Sequence, residues 1–411
     1  MRQIRWNSGA DGIVRMEEGE RATCRETRSM VVCLRVFCFF RGLHVDFMAR
    51  ALELADLAVG RTSPNPAVGA VVVRDGRIVG EGYTQPPGQA HAEAMALREA
   101  GPRADGAELY VTLEPCCHFG RTPPCTEAIL SARIRKVFVA TRDPFPAVDG
   151  RGIEALQTAG LDVALGDREI EAVRLNRAFF HMVRQGRPFV TAKWAMTLDG
   201  KLATSRGDSK WISSSMSRQI VHQERDASDA IVVGIGTVLA DDPRLTVRLD
   251  SNGPRRSARP TGPVRVVVDT FARTPITSQL LTDVEAAPVL IATTDAADPE
   301  RVRSLRQAGA EVIGFPLLDH AVDLQAVLEG LGQRGINRVL LEGGSTLFGS
   351  FFESNLIDRV LAFVAPCLAG GQQALSPIGG TGIEQMSEAR RLADVTYRSI
   401  GTDLLMEGYL S

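Results

Sequence analysis

Between His91 and Cys125 the chain carries an imidazole, two thiols and a carboxylate at spacings that chemistry can use. The residues read His91-Ala92-Glu93, then Leu113-Glu114-Pro115-Cys116, then Thr122-Pro123-Pro124-Cys125. One imidazole and two thiolates make up a ligand set that a tetrahedral Zn²⁺ takes, and three protein ligands leave its fourth position open, as in catalytic zinc sites. Water in that position has its pKa lowered from ~16 toward ~7. Glu93 is not a ligand in this reading. It is the group placed to move protons.

His91 and Glu93 must be positioned together, and residues two apart do not share a helix face. They serve one site only if a helix presents its first turn end-on. Gln85-Pro86-Pro87-Gly88 just upstream favours a helix start there. Pro115 and Pro124 each precede a cysteine and fix the backbone where the ligands converge. Singly, Cys116 or Cys125 reads as an ordinary buried thiol and His91 as a core histidine. The whole set, with two Pro-Cys pairs and the glutamate, does not. Cys117 and His118 lie beside the site as decoys and stay outside the ligand set.

Periodicity supplies the surrounding elements. Phe47, Ala51, Leu54, Ala55 and Ala58 recur at helical steps, with Gly60 following as a C-cap. After the turn Thr62-Ser63-Pro64-Asn65-Pro66, a buried strand is expected over Val68–Val73 and a hairpin partner over Ile78–Gly82. Strands at Leu109–Thr112, Lys136–Ala140 and Leu161–Leu165 alternate with helices after His91, from Cys125 and near Ile153. This order predicts an α/β sandwich around one mixed sheet. An amphipathic helix over Arg168–Arg184 ends at Gln185-Gly186-Arg187-Pro188, where a domain boundary is placed.

Beyond the boundary, strands are expected at Phe189–Met196, Ala230–Val233, Val264–Val268, Pro288–Ala292, Glu311–Gly314, Val339–Leu341 and Arg359–Val364, with helices at Ser217–Asp226 and Ala321–Gln333. A mostly parallel, helix-covered sheet follows. Residues 251–262 read as a surface loop. Glu342-Gly343-Gly344-Ser345-Thr346 follows a strand and opens a helix, where two glycines serve either packing alone or the approach of backbone to a phosphate. Gly234-Ile235-Gly236-Thr237 lies in a similar turn. Arg225 and Arg248 are either solvated surface or a pair that grips a sugar phosphate. From the residues alone, this half is a nucleotide-binding α/β domain.

The chain has 411 residues, 44% of them hydrophobic, and a formal net charge of −2. That length accommodates two or three domains, and the charge gives no basic footprint for nucleic acid. Seven cysteines, an odd number without framework spacing, point to a reducing compartment. The apolar run Met30–Phe40 is interrupted by Arg35 and is too short for a bilayer. It also lacks a small-residue cleavage site. A cytoplasmic protein that avoids nucleic acid and membrane is expected, with residues 1–43 a disordered extension.

Two sets of motifs give the chain a resemblance. The first set is Ser63-Pro64-Asn65-Pro66, His91-Ala92-Glu93 and Thr112-Leu113-Glu114-Pro115-Cys116 through Pro124-Cys125. The second is Thr197-Leu198-Asp199-Gly200-Lys201, Gly207-Asp208-Ser209-Lys210-Trp211-Ile212 and Thr237-Val238-Leu239-Ala240-Asp241-Asp242-Pro243. His-x-Glu with two later Pro-Cys pairs is similar to the zinc deaminase signature, with a wider cysteine spacing. Over about residues 46–411 the chain resembles the bifunctional riboflavin biosynthesis proteins, a pyrimidine deaminase joined to a pyrimidine reductase. The resemblance implies a cytidine-deaminase-like α/β/α sandwich over 44–186 and a dihydrofolate-reductase-like α/β domain over 187–411. It implies one Zn²⁺ in the first and NADPH in the second, and a homo-oligomer is expected.

Carried over residue by residue, His91, Cys116 and Cys125 match the family's zinc ligands and Glu93 its acid/base. Ala195, Trp211, Thr237, Asp241, Thr270 and the turn Gly344, Ser345, Thr346, Leu347, Phe348, Gly349 and Ser350 match cofactor positions. Lys193, Ser209, Arg225, Leu245, Arg248 and Glu342 match positions around a phosphoribosyl substrate. The implied chemistry is hydrolytic deamination of 2,5-diamino-6-(5-phosphoribosylamino)pyrimidin-4(3H)-one. Reduction of the ribosyl chain of 5-amino-6-(5-phosphoribosylamino)uracil to the ribityl form follows. The alternative is a nucleic-acid base deaminase fused to an unrelated reductase.

Overall fold

A computed structural model describes residues 46–120, 122–249, 261–285 and 287–410. The extension expected over 1–43 and most of the loop at 251–262 lie outside these residues.

The first sheet has five strands in the order β2-β1-β3-β4-β5. β1 (Gly69–Arg74) and β2 (Arg77–Tyr83) form the expected hairpin, and β3 (Glu108–Val111) also pairs antiparallel to β1. β4 (Lys136–Val139) and β5 (Asp162–Leu165) extend the sheet in parallel. β1 is apolar at successive positions because both of its faces are covered. Val71 and Val73 pack with Met48, Ala51 and Leu54 of helix Phe47–Ala58. Ala70 and Val72 pack with Ala92, Ala96 and Ala100 of helix Ala92–Ala100. That second helix lies very close to β2. A Cβ at Gly80 would overlap the Ala96 carbonyl, and one at Gly82 the Ala92 carbonyl. The two glycines therefore set the depth of the helix whose first turn carries Glu93.

The second sheet has nine strands in the order β10-β9-β8-β7-β13-β6-β14-β16-β15. β6 (Phe189–Thr197), β7 (Ala230–Gly234), β8 (Val264–Val268), β9 (Val289–Thr293), β10 (Glu311–Gly314), β13 (Arg338–Gly343) and β14 (Arg359–Ala365) run parallel. A separate two-stranded ladder joins β11 (Leu317–Leu318) to β12 (Ala321–Val322). The central strands are buried on both faces, as parallel strands covered by helices require.

Three local readings change. The single helix expected over Arg168–Arg184 is two, Glu169–Leu175 and Arg177–Gln185. Asn176 interrupts it, spending its side-chain amide on both backbone groups of Ala67 at 2.8 Å each. The helix expected from Ala321 begins at Leu324, where the Asp323 carboxylate accepts from the Gln325 and Ala326 N–H groups. The sequence reading also missed the terminal hairpin of β15 (Ala393–Ile400) and β16 (Asp403–Tyr409). Most of β15 is exposed on both faces, so it carries no apolar alternation to read.

Candidate functional site

His91 is the N-cap of helix Ala92–Ala100, with extended backbone, and Glu93 lies in the first turn. The helix thus meets the site end-on. From the other side come Cys116, after β3, and Cys125, which opens helix Cys125–Ser131. His91 Nδ1 lies 3.6 Å from Cys116 Sγ and 3.3 Å from Cys125 Sγ. All three ligand atoms fall within 4.8 Å of one another, the one such group among the described residues. A tetrahedral zinc with bonds of ~2.0 Å to nitrogen and ~2.3 Å to sulfur spaces such ligands roughly 3.5 Å apart. The donor set fits the ion.

Neighbouring groups orient these ligands. The Cys125 N–H donates to Cys116 Sγ at 3.3 Å, and His91 Nε2 meets Thr122 Oγ1 at 3.3 Å. The Cys116 thiol is held below the usual thiol range by hydrogen bonds from Cys125 and His91, and the same contact with Cys116 pushes Cys125 up. Both thiols face the place a cation would take. Cys117 turns away, toward the Ala147 carbonyl at 3.7 Å.

Glu114 is the clamp behind this loop. Its carboxylate accepts from four backbone N–H groups, those of Asp143, Gly150, Gly152 and Ile153, at 2.9–3.2 Å. Gly152 allows that approach, since a Cβ there would overlap the Pro115 carbonyl. Glu93 is 4% exposed, and burial pushes its carboxyl up to about 7, with Cys116 adding to the rise and His91 opposing it. A cavity of about 380 Å³ opens over the group, lined among others by Pro64, Asn65, His91, Glu93, His118, Asp143 and Phe145. Asn65, His118 and Asp143 were not in the predicted site. Asp143 follows the C-terminal end of β4, where parallel sheets place ligands, and that position was its only signal. Burial pushes its carboxyl up to about 7.

The second constellation lies at the C-terminal ends of the central parallel strands. Lys193 on β6 and Glu342 on β13 are neighbours, since the parallel register already pairs Leu341 with Ala192. Burial lowers the Lys193 amine, against the pull of Glu342. Burial alone would raise Glu342, but Arg225 and Lys193 outweigh it and hold the carboxyl low. After β7, Thr237 occupies the start of helix Ile235–Asp241. A Cβ at Gly344 would come within 3.3 Å of its hydroxyl, so Thr237 and the Gly343-Gly344 turn adjoin. Helix Ser345–Glu353 has no side-chain cap, and its first N–H groups suit an anion such as a cofactor phosphate.

Arg225 and Arg248, read from the sequence either as solvated surface or as a sugar-phosphate pair, lie in different surroundings. Arg225 Nε and Nη2 donate to the Glu342 carboxylate at 2.6 Å each, and Nη1 donates to the Thr246 carbonyl at 3.0 Å. Both side chains are nearly buried, at 11% and 8% exposure. A buried guanidinium needs such a partner, and its fork is already used. Arg248 is exposed, its backbone N–H on His222 Nδ1. Leu245 is buried nearby. Its side chain belongs to the core with Leu280 and Ile291, leaving its backbone for any ligand. Thr270 Oγ1 accepts from the Val322 N–H at 3.3 Å, after β8. Trp211 is 73% exposed with Arg218 stacked over its ring, Ser209 is half-buried in the same loop, and Asp241 is exposed at its helix end.

A metal-type His-Cys-Cys cluster beside a buried glutamate, joined to a parallel-sheet half with a glycine turn, defines a zinc deaminase linked to a reductase. Residues 42–141 match the cytidine and deoxycytidylate deaminase zinc-binding region, and residues 188–406 match the RibD C-terminal domain. The chain is 43% identical over 363 residues to the riboflavin biosynthesis protein RibD of Actinobacillus pleuropneumoniae, covering 88% of this chain and 94% of that one. To RibD of Escherichia coli K12 it is 38% identical over 369 residues, covering 88% and 97%. Acinetobacter baumannii RibD superposes with a TM-score of 0.79 at 37% identity, covering 89% and 98%. A diaminohydroxyphosphoribosylaminopyrimidine deaminase/5-amino-6-(5-phosphoribosylamino)uracil reductase from Thermotoga maritima gives 0.75 at 37%, with the same coverage. The chain belongs to the RibD family, the bifunctional deaminase and reductase of riboflavin biosynthesis.

Proposed function

We propose that the two reactions divide between the two sheets, with the boundary at Gln185–Pro188. There helix Arg177–Gln185 ends at Gly186 in the left-handed conformation. The observation that carries the reading is the His91, Cys116 and Cys125 group set against buried Glu93. Zinc held there supplies an activated water. Glu93 moves a proton from the attacking water to the ring amino group of 2,5-diamino-6-(5-phosphoribosylamino)pyrimidin-4(3H)-one, which leaves as ammonia. The cavity over the group holds the ring against Glu93.

In the second half, NADPH supplies the hydride. Thr237 and the Gly344–Ser350 turn hold its phosphates, and Ala195, Trp211, Asp241 and Thr270 complete the cofactor positions. Lys193, Ser209, Arg248, Glu342 and the Leu245 backbone surround the opened ribosyl chain. Arg225 holds Glu342 in place. Positioning is the protein's main contribution to such a transfer.

The chain acts in the cytoplasm as a homo-oligomer on a small phosphorylated pyrimidine. A net charge of −2 supports that over a nucleic-acid base deaminase, and among the described residues no helix is long and apolar enough to cross a membrane. The experiment is an assay for ammonia with the diaminopyrimidine phosphate and with tRNA, and for NADPH consumption with the deaminated intermediate. Ammonia from the pyrimidine alone, and NADPH consumption, are expected. Ammonia from tRNA alone would overturn the substrate reading.

A further inference from the structure

The wall of the deamination cavity formed by Pro64, Asn65 and Pro66 belongs to a short loop held partly by its own bonds and partly from outside. Within the loop, the Asn65 N–H donates to the Thr62 carbonyl at 2.7 Å, and Thr62 Oγ1 donates to the Asn65 carbonyl at 3.0 Å. Its far end is fixed by Asn176, through the paired bonds to Ala67. Its near end is fixed from the other half of the chain. Asn337 Nδ2 donates to the Pro64 carbonyl at 2.9 Å.

Asn337 is a rigid anchor. It is 4% exposed and lies just before β13. Its N–H donates to Asp229 Oδ2 at 2.7 Å, and its carbonyl accepts from the Phe189 N–H at 2.9 Å. Two residues earlier, Gly335 adopts φ +79°, and a Cβ there would touch the Pro64 ring at 3.5 Å. The proline that walls the deamination cavity thus rests on the strand-entry turn of the reductase sheet. Among the described residues, the metal group is positioned from within its own half. His91 and Glu93 are set by helix Ala92–Ala100 against Gly80 and Gly82, and Cys116 by the Glu114 clamp.

We propose that Asn337 is a positioning residue for deamination, by which the reductase half fixes the pyrimidine-binding wall of the deaminase half. The inference rests on the assignment of deamination to the His91 cavity. Losing the donor frees Pro64–Pro66 without disturbing the zinc ligands or Glu93, so substrate affinity falls while chemistry stays.

The test uses full-length Asn337→Ala and Asn337→Asp, the second keeping the size but removing the donor. One neutral hydrogen bond corresponds to about a fivefold change in affinity. Both variants should raise the KM of deamination about fivefold, with kcat, zinc content and the kinetics of the reduction step unchanged. Amide hydrogen exchange over residues 62–67 should quicken in both, with residues 92–100 unaffected. Unchanged KM and exchange would overturn the proposal. So would a loss of zinc, a fall in kcat, or failure of both variants to fold, since each shows a wider role. If the parent itself releases no ammonia, the assignment of deamination fails, and the exchange result alone decides whether Asn337 holds the loop.

Discussion

The two sites of this chain are built in opposite ways. The deamination site draws its metal group and acid/base from residues close in sequence, His91 to Cys125, and its ligand atoms already sit at metal-binding distances. The proposed reduction site gathers Lys193, Arg225, Thr237, Thr270 and Glu342 from elements spread over the second sheet, and its strongest charges neutralise one another. A chelate tolerates little displacement, so its ligands come with local devices, two Pro-Cys pairs and the Glu114 clamp. Hydride transfer needs a long groove for two ligands, and strand ends of a parallel sheet provide that. On the proposed account the sites are chemically separate, and the Asn337 bond to the Pro64 carbonyl joins them mechanically.

The largest expected effect tests the compactness of the first site. Cys116→Ser and Cys125→Ser should each strip zinc and stop deamination, because a hydroxyl is a far poorer zinc ligand than a thiolate. Cys117→Ser should do neither, and loss of its zinc on elemental analysis would shift the ligand register by one. Glu93→Gln should come next. It should keep zinc while ammonia release falls by about 10²- to 10⁴-fold, the usual worth of a general acid/base. Zinc loss in that variant would make Glu93 a ligand.

Smaller effects test the dispersed site. Arg225→Lys keeps a charge but loses the planar fork that holds Glu342. Weakening a buried pair destabilises the fold, by about 1–3 kcal/mol in thermal unfolding. The reduction rate should fall with it, leaving deamination intact. A variant with parent-like reduction kinetics would show that Glu342 needs no such support. Arg248→Ala should cost less, raising the reduction-step KM roughly tenfold if its guanidinium makes one charge-assisted contact to the substrate phosphate. An unchanged KM would leave Arg248 as solvated surface.

The same contrast explains what could be read from sequence. The strands β1, β6–β9, β13 and β14 showed as apolar runs because they are largely buried. The metal group showed because its residue types are rare together. Asn337 did not show, since one polar residue before a strand gives no pattern until the fold brings it to Pro64. The Arg225 partner did not show for the related reason that a lone arginine in sequence does not reveal what it pairs with. Glu342 lies far along the chain, and only the strand order brings the two together. The hairpin of β15 and β16 escaped because an exposed edge strand needs no apolar alternation.

One measurement tests the two-site account most directly. The full chain is incubated with the diaminopyrimidine phosphate in four arms, with and without NADPH and with and without a zinc chelator, and products are read by mass spectrometry. Without NADPH, the ring amino group should be replaced by oxygen and the ribosyl chain left intact. With NADPH, the product should also gain two hydrogens. Chelation should block both products from this substrate, yet leave reduction of added deaminated intermediate untouched. Deamination that survives chelation, or reduction of the intermediate that stops with it, would contradict two chemically separate sites.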